Sequence, residues 1–113
     1  MSLFSNIAKA WASTALYGKT FYSTIQLAIA KDNTTEKKAD HLYLEFRKNF
    51  IIIRDMKTNQ GKQIPWKFHK LDQETKTYTF QDEKYGQWLI SDRHITFTNM
   101  NSMETIAFLG KIL

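Results

Sequence analysis

Cysteine is absent from this 113-residue chain, which excludes disulfides, thiolate metal sites and a cysteine nucleophile. The redox compartment stays open, because a cysteine-free protein suits either side of a membrane. Proline occurs once. The four glycines (Gly18, Gly61, Gly86, Gly110) stand far apart, so no glycine-rich loop can cradle a phosphate. No apolar run approaches the ~18 residues that a membrane-spanning helix needs. The opening residues also lack a signal peptide's form, since Lys9, Ser13, Thr14 and Lys19 break up any apolar block. The expected location is cytoplasmic. No sequence repeat at a fixed period is visible.

What is present is apolar material in quantity: 42% hydrophobic and 14% aromatic residues. That composition argues against disorder and supplies a core for one domain spanning residues 1–113. The net charge is +5, and thirteen of the sixteen basic residues are lysines. Such an excess can draw nucleic acid, acidic protein or anionic lipid. Lysines spread along the chain also keep a β protein soluble and guard its sheet edges, and the even spread favours this reading.

The first segment is spaced as a helix. Phe4, Ile7, Ala8, Trp11 and Ala15 fall on one face, Ser2 or Ser5 can cap it and Gly18 stops it, which predicts an amphipathic helix over about 5–17. Residues 19–30 are ambiguous in period, and their β-branched and aromatic content favours a strand with Phe21, Ile25, Leu27 and Ile29 sharing a face. Residues 32–40 are polar and read as an exposed loop. Short alternating segments follow at 41–46, 50–57, 62–71, 77–81, 87–90, 94–98 and 104–113, each closed by turn residues. Leu42, Leu44, Phe46, Ile64, Trp66, Phe68, Tyr78, Phe80, Trp88, Ile90, Ile95 and Phe97 take the inward parity. Phe50 to Ile53 is apolar on both parities, which suits a strand covered on both faces, with the helix available for one of them. Pro65 lacks an amide donor and marks an edge or a bulge.

The expected fold is therefore mainly β: an antiparallel up-and-down meander of about eight strands, a closed or partly open small barrel, preceded by one amphipathic helix. In outline this resembles the lipocalin-type small barrels. The glycine and tryptophan that those families place together at the opening strand have no counterpart, since Gly18 is not followed by tryptophan and Trp11 lies in the helical segment.

No catalytic motif stands out, and the expectation is a protein that is not an enzyme. His41, His69 and His94 all take the outward parity and form no ligand pair, so neither a metal site nor a cofactor is indicated. Ser91, Asp92 and His94 hold the residue types of a triad, but they crowd into one turn with no oxyanion-hole sequence beside them. The acids mostly flank turns, and the mid-strand Glu45 faces outward.

Three functional readings remain. A binding module for an apolar small molecule or a protein partner would line its pocket with Phe46, Trp66, Phe68, Tyr78, Trp88 and Phe97. A basic nucleic-acid-binding module would use Arg47, Lys48, Lys67 and Lys70, although Trp66 and Phe68 cannot stack on bases if they face the core. A structural or interaction protein would have a filled core. The apolar face of the first segment could cap the sheet or join two copies of the chain.

Overall fold

The computed structural model describes residues 15–84 and 86–113. Ten strands form one antiparallel sheet: β1 (Thr20–Ile29), β2 (Thr35–Lys38), β3 (Leu42–Phe46), β4 (Phe50–Asp55), β5 (Gly61–Pro65), β6 (Lys67–Asp72), β7 (Thr77–Gln81), β8 (Gly86–Ile90), β9 (His94–Asn99) and β10 (Thr105–Ile112). The sheet order is β5-β4-β3-β1-β10-β9-β8-β7-β6, with β2 beside the second half of β1. The first strand thus pairs with the last, and the meander curls into a nearly closed barrel. Its remaining seam lies between β5 and β6.

Short connections pair β3 with β4, β4 with β5 and each successive strand from β6 to β10, whereas β1 reaches beyond its chain neighbour β2 to pair with β3 and β10. Three hairpins close in the same way. Asp55, Asp72 and Asn99 each accept two amide hydrogen bonds through the side-chain Oδ1, from residues two and three further on. Four residues after each stands a left-handed residue: Asn59 (φ 56°), Lys76 (φ 53°) and Met103 (φ 61°). A tight turn followed by a left-handed residue is a common hairpin connection.

Several expectations need correction. The helix expected over 5–17 falls, up to residue 14, outside the described residues; among the described residues Ala15 and Leu16 have helical backbone before the chain turns through Gly18 (φ 85°). The loop expected over 32–40 contains a strand, β2, which extends the hairpin with β1 despite having no apolar residue. The single strand expected over 62–71 is divided at Trp66 into β5 and β6, which belong to opposite edges of the sheet. Phe21, Ile25, Leu27 and Ile29 do not share a face. A register shift between Ser23 and Ile25 leaves Thr24 as an extra residue, so parity reverses within β1. Phe21 and Ser23 face the interior; beyond the bulge Gln26 and Ala28 align with Phe108 and Ile106, and Ile25, Leu27 and Ile29 turn outward. In β4, Ile51 is fully buried and Ile53 packs on the core, while Phe50 and Ile52 are only half-buried on the outer side.

The interior is otherwise built as the alternation predicts. Leu44, Phe46, Trp66, Phe80, Trp88, Ile90 and Ile95 are buried, with Leu42, Ile64, Phe68, Tyr78 and Phe97 packed against them. Leu16 joins this cluster, and Tyr17 lies 6.5 Å from Phe80 between ring centroids.

Candidate functional site: an aromatic and basic face on the outside of β1, β3 and β4

The six residues expected to line a pocket are brought together, but as packing. Phe46 and Trp66 stack with centroids 6.0 Å apart, and Trp66 and Phe80 stack at 3.9 Å. Phe68 meets Phe80 edge-on at 5.4 Å, Trp66 meets Trp88 edge-on at 6.0 Å, and Trp88 lies 4.7 Å from Phe97. Tyr78 packs against the same cluster. Rings at these separations are in contact, so side chains occupy the volume a ligand would take there.

Of the four cations of the nucleic-acid reading, Arg47 is engaged within the fold. Its guanidinium lies 3.4 Å from Glu45 and donates to the Phe46 carbonyl at 3.0 Å, and its own carbonyl accepts from Trp66 Nε1 at 2.8 Å. Lys48 is exposed in the adjoining turn. Lys67 lines a surface concavity together with Asn49, Asp82 and Glu83. Lys70 stands further along β6, paired with Thr79.

A constellation that the sequence reading did not assemble lies on the outer face of β1, β3 and β4. Register sets Tyr22 opposite Tyr43, and Tyr43 opposite Arg54. The two tyrosine rings have centroids 5.4 Å apart, and the Tyr22 ring lies 5.7 Å from that of His41. The Tyr22 hydroxyl donates to His41 Nδ1 in the neutral tautomer that leaves this nitrogen free. Below them Glu45 draws in two guanidinium groups, Arg47 at 3.4 Å and Arg54 at 3.3 Å. Lys111 adjoins Tyr22 across the β1–β10 ladder. Lys19, Tyr43, Glu45 and Arg54 line a shallow hollow of about 440 Å³ at the foot of this face. Alternation already puts His41 and Tyr43 outward. What it cannot show is that Tyr22 and Arg54 are their neighbours, because that depends on pairing register.

All three histidines are exposed, as their parity predicts. Among the described residues no three metal-ligating side chains gather. Ser91 and His94 do meet, with Ser91 Oγ 3.0 Å from His94 Nδ1. The same hydroxyl also donates to the His94 carbonyl at 3.1 Å, and the Ser91 amide donates to that carbonyl at 3.0 Å. This is the closure of a hairpin. Asp92 is exposed, and no hydrogen bond ties it to the imidazole among the described residues.

Compared with known proteins, the chain matches no protein-family model, no curated protein and no solved structure. The resemblance to lipocalin-type barrels gains no support from these comparisons.

Proposed function

We propose that this chain is a non-enzymatic binding module whose partner is a protein, held on the outer face of β1, β3 and β4. The observation that carries this reading is the Tyr22–His41–Tyr43 cluster set beside Arg47, Arg54 and Glu45. Tyrosine and arginine are the residues that dominate protein interfaces, because each joins a large contact area to a directed hydrogen-bonding group. Half-buried Ile52 extends the face on the side of Arg54, and Lys19 and Lys111 stand at its margin. A partner that presents carboxylates around an apolar anchor complements this arrangement.

The packed rings at the barrel's centre favour this reading over an apolar small molecule inside. A nucleic-acid partner is favoured less, because Glu45 sits among the cations where a phosphate would need them free.

The test compares the wild-type chain with a Tyr22→Ala/Tyr43→Ala double variant and with Arg54→Ala, after circular dichroism shows all three folded. A partner captured by the wild-type chain is purified and titrated against each. Loss of about tenfold or more in affinity, on the order of 1.4 kcal/mol, supports the assignment. Equal affinity across the three proteins overturns it. A parallel titration with a single-stranded oligonucleotide, giving tight binding that collapses with added salt, would instead support the nucleic-acid reading.

A further inference from the structure

The rings that fill the barrel stop short of one end. Phe80, Trp88 and Phe97 stand side by side across β7, β8 and β9. The next inward positions on these strands are Asp82, Gly86 and Asn99, and beyond Ile64 on β5 comes Lys62. A glycine and three polar residues do not fill this end as the rings fill the centre. It opens as a cup of about 340 Å³, with Ile64 and Phe97 in its apolar lining and Lys62, Asp82, Glu83, Lys84 and Asn99 in its polar lining. Local hydrogen bonds set two of these polar groups in place. Asp82 Oδ1 accepts from the amides of Lys84 and Gly86, each at 2.8 Å. Asp82 Oδ2 and the Phe97 ring close over Gly86, where a Cβ would stand 2.3 Å from each. A carboxylate oxygen thus lies beside an aromatic ring. Asn99 commits its Oδ1 to the amides of Asn101 and Ser102, so its amide nitrogen is the atom it can offer to the cup.

We propose that this cup binds a small zwitterion with an apolar side group, the chemistry of an apolar α-amino acid. Small-molecule sites start at about 300 Å³ and join apolar walls to a few convergent polar groups. Two lysines and two carboxylates leave the described lining without net charge, in a chain whose net charge is +5. A ligand of one sign is repelled by half of these groups. A ligand with both signs sets its ammonium against Asp82 Oδ2 and its carboxylate towards Lys62 and Lys84. Its apolar group then covers Ile64 and Phe97, taking their exposed surface out of water. The cup lies on the inner side of β5, β7 and β9, apart from the outer face of β1, β3 and β4, so the two sites are independent.

Amide chemical shifts followed during titration with L-leucine to about 20 mM test this. Saturable shifts are expected in β5, the β7–β8 turn and β9, with a Kd of about 1 mM. N-acetyl-leucine and leucinamide each lack one of the two charges and should bind about tenfold more weakly or worse. Asp82→Asn keeps an Oδ1 for the two amides but removes the carboxylate, and Lys62→Gln removes a cation. Each should weaken leucine binding about fivefold or more, whereas Lys111→Gln, on the outer face, should leave it unchanged. Thermal melts establish folding, and if Asp82→Asn fails to fold, Lys62→Gln and the two analogues decide. Three results overturn the proposal: no saturable shift with leucine, either analogue binding as tightly as leucine, or every folded cup variant binding leucine like the wild type.

Discussion

Two buried tryptophans differ by one hydrogen bond. Trp66 Nε1 donates to the Arg47 carbonyl at 2.8 Å, whereas Trp88 Nε1 is buried with no hydrogen-bond partner among the described residues. Phenylalanine at either position loses volume, but only at position 66 does it also remove a satisfied bond. Trp66→Phe is therefore expected to cost about 1–2 kcal/mol more than Trp88→Phe in urea unfolding. Gly110 shows the limit of tolerance at one residue, since a Cβ there would stand 1.8 Å from the Tyr22 carbonyl oxygen. Gly110→Ala should destabilise by about 2 kcal/mol or more, because strand backbone cannot give way as a flexible side chain would. Asp32 is an exposed turn residue whose carboxyl is held below the usual aspartate range by hydrogen bonds from Thr34. A lowered value in the fold means that its contribution is present at neutral pH and lost as acid takes the carboxyl through that value. Asp32→Asn should abolish this acid-dependent part of the stability, read by thermal melts across the acid range.

Hairpin turns show most directly how local sequence becomes an element. Asp55, Asp72 and Asn99 belong to the residue types that hydrogen-bond the backbone just beyond them, and the turns are legible for that reason. The left-handed residues four positions later are less so, because Lys76 and Met103 carry no mark of that conformation. A residue with a Cβ is strained there and glycine is not. Lys76→Gly and Met103→Gly should each stabilise the protein by roughly 0.5–1 kcal/mol, raising the calorimetric melting temperature by a few degrees each. Alternation identifies the inner faces of the strands, because side chains in a strand point alternately to opposite faces. It does not hold through β1, where one extra residue reverses parity and turns Ile25, Leu27 and Ile29 to the outer face. Nothing in Ser23-Thr24-Ile25 announces a bulge.

For the molecule as a whole, the seam is the weak line. The Trp66 amide donates to the Asn49 carbonyl at 3.0 Å, and because an antiparallel ladder alternates, the neighbouring Pro65 has its nitrogen on the side away from β4. A missing donor costs nothing there and denies a bond to any incoming strand. A register shift at His69 and the lysines at 62, 67 and 70 blunt the two edges further. Hydrogen exchange should therefore be fastest in β5 and β6 and slowest along β1 and β10, whose ladder pairs eight positions around buried Phe21 and Ser23. Comparable protection in β5 and β1 would contradict this account of the seam.

Alternation, turn chemistry and short connections sufficed to specify an antiparallel meander, its inward rings and its outward histidines, because each is a property of neighbours along the chain. The tertiary structure alone decided that the first strand pairs with the last, that Trp66 divides two edges, and that Tyr22, Tyr43, His41 and Arg54 stand together. It also decided that the apolar half of β1 faces outward. These depend on register and on a bulge, which arise from pairing between segments as much as ninety residues apart and leave no periodic trace in either one.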